Sequence, residues 1–168
     1  MSQFDTLEFA EIDVPLVLAA QMPGVSGPDP AAIAGAMRTA FDELMGFIKQ
    51  YKLCPSGAPR TIYTACGPQG IRFVVAMPIA KPPSMPRTIG PGFLKNLAAA
   101  RTMRFTHRGP YADLKKTYGL ITEFLKDKGL MKTDADWGKY MPMWEEYLND
   151  PHTTPPENLR TYIYLPLT

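Results

Sequence analysis

The 168-residue sequence is poor in the residues that build metal centres, disulfide frameworks and charged interaction surfaces. It has two cysteines, Cys54 and Cys66, without the C-x-x-C spacing of a zinc or redox motif, and two histidines, His107 and His152, far from them in sequence. These spacings predict no metal site, no disulfide scaffold and no cofactor, and the thiols read as ordinary reduced cysteines. Charge of one sign is also scarce. Eighteen Lys and Arg against 16 Asp and Glu leave a formal net charge of +2, and the longest basic cluster is Lys115-Lys116, so no direct nucleic-acid surface is expected. No apolar run approaches the roughly 20 residues that cross a bilayer; "VPLVLAA" is far too short. The start "MSQFDTLEF" has neither the basic segment nor the apolar core of a secretory leader, so a cytoplasmic protein without membrane association is expected.

What remains is enough apolar material, 45% of residues with 11% aromatic, for the core of one ordinary domain. "FAEIDVPLVLAAQMPG" reads as a strand ending at a Pro23-Gly24 turn. In "GPDPAAIAGAMRTAFDELMGFIKQYKL", Asp29 as N-cap and Pro30 at the first helical position open a long helix. Its apolar face is Ile33, Met37, Phe41, Leu44 and Ile48. "RTIYTAC" and "IRFVVAMPI", separated by "GPQG", read as a hairpin. The segment "AKPPSMPRTIGPGF" is rich in proline and glycine, offers few backbone donors, and reads as a connector.

The same order then returns. "AAARTMRFTHRG" reads as a strand, and "PYADLKKTYGLITEFLKDKGL" as a helix with Leu114, Tyr118, Ile121 and Leu125 on one face and Gly129 as its stop. "YMPMWEEYL" and "LRTYIYLPL" close the series as a second hairpin. The fold class is therefore α+β. A strand-helix-strand-strand unit occurs twice within one domain over residues 1–168, repeat one at about 8–80, a connector at 81–96 and repeat two at about 97–168. Two such units are expected to pair about a pseudo-twofold axis into one antiparallel sheet, with two long helices on one side and a central cleft at the junction.

The pieces "THRGPYADLKKTYGLITEFLKDKGL", "WEEYLNDP" and "PPENLRTYIYLPL", in this order and spacing, resemble the GyrI-like small-molecule-binding domain, the effector-binding domain of multidrug-sensing transcription activators. The most specific part is Trp144, Glu145, Tyr147, Asp150 and Pro151, with Gly109-Pro110-Tyr111 at the helix entrance as a second anchor. The resemblance implies a tandem strand-helix-strand-strand fold. It also implies a central cleft that receives hydrophobic, often cationic aromatic compounds against a strand glutamate, here Glu145. Some standalone members are hydrolases of cyclopropane rings in cytotoxic natural products, acting through a glutamate and a tyrosine, here Glu145 and Tyr147. The family name also implies a gyrase-interacting protein as a third reading. The first element here is already the strand of the first unit, with no helix-turn-helix ahead of it, so direct transcriptional control is not expected.

Strand alternation divides the segment "MWEEYL". Met143, Glu145 and Tyr147 fall on one face and Trp144, Glu146 and Leu148 on the other, so the glutamates do not form a proton-sharing pair. A carboxylate in an aromatic cleft is costly to desolvate unless it meets hydrogen bonds or a cation, which makes Glu145 a counter-ion for a cationic ligand. The alternative is that both glutamates face solvent, or that Glu145 bonds Arg160 or Arg104 across strands. Tyr147, Tyr111, Trp137, Trp144, Tyr63 and Met143 complete the expected ligand-contacting set. Tyr118, Tyr140 and Phe73 could also line a pocket, but aromatics at helical or strand spacing are more often plain core. Met77, Met85, Met103 and Met141 suit either an adaptable pocket or core filling. His107, at a strand end, reads as a hydrogen-bonded surface histidine.

Overall fold

The computed structural model describes residues 6–167, so the start of the expected leaderless N-terminus and Thr168 lie outside the described residues. Eight strands and two α-helices follow one another as β1 (Glu8–Val14), β2 (Val17–Ser26), α1 (Pro30–Gln50), β3 (Arg60–Gly67), β4 (Gly70–Pro78), β5 (Phe93–Leu97), β6 (Ala100–Arg108), α2 (Leu114–Asp127), β7 (Met143–Tyr147) and β8 (Arg160–Pro166). All the strands join one sheet in the order β1-β6-β8-β7-β3-β4-β2-β5, and every pairing is antiparallel.

That order is symmetric about the β7–β3 junction, with β7, β8 and β6 occupying the places of β3, β4 and β2. The duplicated unit is larger than the sequence suggests. Each half carries a further strand, β1 or β5, that pairs with the other half's neighbouring edge: β1 with β6, and β5 with β2. The expected first strand is two strands, broken at Pro15-Leu16, where Pro15 has no N–H to donate. Pro23-Gly24 is no turn, because β2 runs on to Ser26. Glycine is needed there by contact: a Cβ on Gly24 would stand 2.4 Å from the Phe73 ring. The connector expected over 81–96 shortens correspondingly, since β5 begins at Phe93.

Helix α1 starts where its sequence dictates, with the Asp29 carboxylate accepting the Ala32 N–H at 3.1 Å and Pro30 in the first turn. Its C-terminal half packs on the first half of the sheet, burying Leu44, Phe47 and Ile48 against Phe73 and Val75. Helix α2 is entered through a 3-10 turn at Tyr111–Asp113 and stops at Gly129, whose φ of +72° suits a residue without a Cβ. Ile121 and Leu125 bury against Met103, Phe105, Ile163 and Leu165 of the second half. Both helices thus lie on one face of the sheet, each over its own half. Replacing Asp29 by alanine is expected to cost about 1 kcal/mol through the unsatisfied first turn of α1, measured by thermal or denaturant unfolding.

Candidate functional site

Between the two cores the sheet's helix-bearing face opens into a cleft of about 1700 Å³. Its floor is the junction of β3 and β7, where Thr61 pairs with Glu145 and Tyr63 with Met143. The alternation of β7 turns Met143, Glu145 and Tyr147 toward the helices. Ile33, Met37 and Phe41 of the N-terminal half of α1 form one wall, and Tyr111, Leu114 and Tyr118 form the other. The two halves of each helix therefore do different work: in α1 the last turns fill a core and the first turns border a void.

Glu145 is only 4% exposed. The Tyr63 hydroxyl donates to its Oε1 at 3.0 Å, the Tyr147 hydroxyl donates to Oε1 at 2.8 Å, and the Tyr118 hydroxyl donates to Oε2. Tyr147 Oη also lies 2.9 Å from Thr61 Oγ1. A phenol has one proton, so the consistent arrangement has Thr61 donating to the Tyr147 oxygen while Tyr147 donates to Glu145. Burial in the first place, and the Glu145 charge in the second, hold the hydroxyl pKa of Tyr63, Tyr118 and Tyr147 well above the usual phenol value. All three remain protonated donors. No lysine, arginine or histidine pairs with Glu145 among the described residues.

Aromatic rings surround this carboxylate edge to face. Tyr147 meets Phe41 at 6.0 Å and Tyr111 at 5.6 Å between centroids, and Trp137 meets Tyr118 at 5.8 Å. Trp137 is fixed by donating its indole N–H to Thr122 Oγ1 at 3.1 Å. Met37, Met45, Met77, Met141 and Met143 add thioethers to the wall. Arg38, Asp42, Lys115, Asp134 and Asp150 also line the cleft, and all five are exposed, so formal charge is carried outward while the interior is apolar except at Glu145.

Of the residues singled out in the sequence, Glu145, Tyr147, Tyr111, Trp137, Tyr63 and Met143 come together in this cleft. Trp144 does not. Its neighbours across the strands are Ile62 and Tyr164, and it stacks on the Tyr164 ring at 5.1 Å and 16° on the opposite face of the sheet. The parity that brings Glu145 in turns Trp144 out. Leu148, assigned by alternation to that opposite face, lines the cleft, because β7 ends at Tyr147 and alternation ends with it. Arg104 and Arg160 are no partners for Glu145. Both lie on the opposite face, where the Arg104 guanidinium sits 4.1 Å from the Tyr162 ring centroid.

Met77 and Met141 line the cleft, whereas Met103 belongs to the second core and Met85 is exposed on the connector. Tyr140 and Phe73 are buried core residues. His107 is buried rather than superficial, with Nδ1 2.6 Å from Thr117 Oγ1 and Nε2 2.9 Å from the Pro110 carbonyl. Pairing of β6 between β1 and β8 brings it under the start of α2. Sequence reasoning also missed Cys66 on the cleft wall. A register shift between Tyr63 and Ala65 offsets the alternation, so that Cys66 pairs with Ile71 on the helix-bearing face. Among the described residues no group of His, Cys, Asp or Glu is arranged to hold a metal ion, and no helix is long and apolar enough to cross a membrane.

Residues 38–168 match the model of the GyrI-like small molecule binding domain. The chain belongs to this family. Among solved structures it is similar to the EcmrR C-terminal domain, at 14% identity over 96% of this chain and 98% of that one, with a TM-score of 0.70. It is also similar to SAV2435 bound to tetraphenylphosphonium, at 13% identity over 96% and 94% of the two chains and a TM-score of 0.62. A hydrolase from Listeria innocua shows 16% identity over 96% and 92%, with a TM-score of 0.59. Against EcmrR in its DNA complex, at 13% identity and a TM-score of 0.74, 95% of this chain covers 57% of the longer one. No curated protein sequence matches the chain. At these identities the likeness to solved structures is one of fold. This GyrI-like domain is thus a small-molecule-binding domain by family, and its cleft is where the two halves of the duplicated fold meet.

Proposed function

We propose that this GyrI-like domain binds hydrophobic, cationic aromatic small molecules in the central cleft, with Glu145 as the fixed counter-charge. The observation that carries the reading is a carboxylate that is 4% exposed, facing an apolar void, and held by phenol hydroxyls instead of a cationic side chain. Burying a carboxylate is expensive, and hydrogen bonds offset the cost without cancelling the charge. The uncancelled charge attracts a cation whose apolar body replaces water against Phe41, Tyr111 and Trp137. Edge-to-face rings leave aromatic faces turned toward a guest, where cation–π attraction adds to stacking. The fold neighbour SAV2435, bound to a phosphonium cation, is consistent with this reading.

A second reading is favoured by the 2.8 Å contact between Tyr147 and Glu145. In a hydrolase of strained cyclopropanoid cytotoxins, Glu145 would take the proton of a water whose oxygen bonds to the ring carbon as a cyclopropane C–C bond breaks, the electron pair of that bond passing to a conjugated carbonyl oxygen of the substrate that Tyr147 hydrogen-bonds. It ranks second because Tyr147 already spends its proton on Glu145, and three hydroxyl donors occupy the carboxylate that would have to receive the proton of water. A titration and a product-mass assay together separate the two. An aromatic cation such as biphenylmethyl-trimethylammonium is expected to bind with micromolar-range affinity, about −8 kcal/mol, and to be recovered with unchanged mass. A cyclopropane-bearing alkylating compound incubated with the protein is expected to return no product heavier by one water. Catalytic appearance of that product would establish the second reading.

A further inference from the structure

We propose that the cleft selects among cations by their hydrogen-bonding capacity, favouring quaternary cations without N–H groups over primary ammonium groups on the same aromatic body. This rests on the cation-binding reading and deepens it. An ionised carboxylate offers about four lone-pair positions. In Glu145 three are taken, two on Oε1 by Tyr63 and Tyr147 and one on Oε2 by Tyr118, and at 4% exposure the remaining position has little open approach.

A primary ammonium enters with three N–H donors, all satisfied in water, and finds at most one free lone pair at the charge it is drawn to. To gain a second it must displace a phenol, which leaves that hydroxyl unpaired in a dry site. Tyr147 can turn its proton to Thr61 Oγ1, 2.9 Å away, whereas the Tyr63 and Tyr118 hydroxyls have no second acceptor among the described residues, so displacing either leaves it unpaired. A quaternary cation has no donors to satisfy and sheds its hydration more readily. It needs charge at short range and polarisable faces around it. The three phenols supply these, because a hydroxyl donating to a carboxylate pushes electron density into its ring and strengthens the attraction of that ring's face for a cation. The negative charge of Glu145 is thus presented to the ligand through tyrosine rings, and direct contact with the carboxylate is largely pre-empted.

The test uses three probes with one biphenylmethyl body: the trimethylammonium, the primary ammonium and the neutral neopentyl isostere, titrated calorimetrically at neutral pH, where both amines are cationic. The wild-type protein is expected to bind the trimethylammonium at least about tenfold more tightly than the primary ammonium. Tyr118→Phe vacates Oε2 and is expected to shrink that ratio at least about fivefold, each cation's affinity being read relative to the neutral probe on the same variant. Tyr63→Phe, which vacates a position on Oε1, should act in the same direction and serves if Tyr118→Phe loses its fold. Equal wild-type affinities for the two cations, or a ratio unchanged in the folded variants, would overturn the selectivity while leaving cation binding standing, provided both cations outbind the neutral probe. If neither cation outbinds it, the underlying reading fails as well.

Discussion

Replacing Glu145 by glutamine is expected to weaken an aromatic cation by about 2 kcal/mol or more, roughly thirtyfold, and to change the affinity of a neutral molecule of the same shape by less than about threefold. The substitution keeps the volume and one acceptor oxygen and removes the charge. Glutamine Oε1 can still accept from two tyrosine hydroxyls, and the third phenol can turn to accept from the new amide. The cleft therefore keeps its shape, and neutral guests keep their stacking against Phe41, Tyr111 and Trp137. Fold stability should move little, because the loss of charge-assisted hydrogen bonds is offset by relief from burying an ionised group. Calorimetric titration of the trimethylammonium and neopentyl probes on both proteins gives the comparison. Parallel weakening of charged and neutral probes would mean that the substitution reorganised the pocket, and the counter-charge role of Glu145 would be lost with it.

The sequence carries the parts of this molecule that depend on local chemistry. Asp29-Pro30 announces the start of α1, the alternation through Met143, Glu145 and Tyr147 sets one face of β7, and the repeated strand-helix-hairpin order exposes the duplication. Long-range pairing is less visible. Nothing in "FAEIDVPLVLAAQMPG" says that its first part pairs with a strand some 90 residues away while its second pairs within its own half, yet that exchange divides it into β1 and β2. The same exchange hides β5, whose pairing with β2 turns the end of a glycine- and proline-rich connector into strand. At the site, the face of α2 bearing Tyr118 was legible, but its meeting with Glu145 depends on how α2 settles over the sheet. Cys66 was hidden by a bulge that resets the alternation by one residue, and burial of His107 depends on how the start of α2, with Thr117 and the Pro110 carbonyl, settles over its ring.

Trp144 shows how one strand divides binding from stability, and its substitutions are expected to have the largest effect on folding. Trp144→Ala should destabilise the protein by about 3–5 kcal/mol and lower its melting temperature by roughly 6–20 °C, while leaving the affinity of the folded protein for the trimethylammonium probe within about threefold. The indole is 7% exposed, stacks on Tyr164, and has the Arg60 guanidinium 5.8 Å from its ring centroid. Burial holds the Arg60 pKa below its usual value, with Glu146 at 3.9 Å as a long ion pair opposing the shift. Removing the indole uncovers that guanidinium and leaves a void beside Tyr164 in the middle of the sheet's second face. The loss is not all packing, since the indole N–H is itself buried without an acceptor. Phenylalanine deletes that unpaired donor along with part of the ring, so the two effects oppose each other, and Trp144→Phe should cost less than half as much as Trp144→Ala. Denaturant unfolding of both variants beside titration of each at a temperature where it is folded decides the matter. Binding that falls in proportion to stability would place Trp144 in contact with the ligand site after all, whereas a stability loss with unchanged affinity assigns it to the framework behind Glu145.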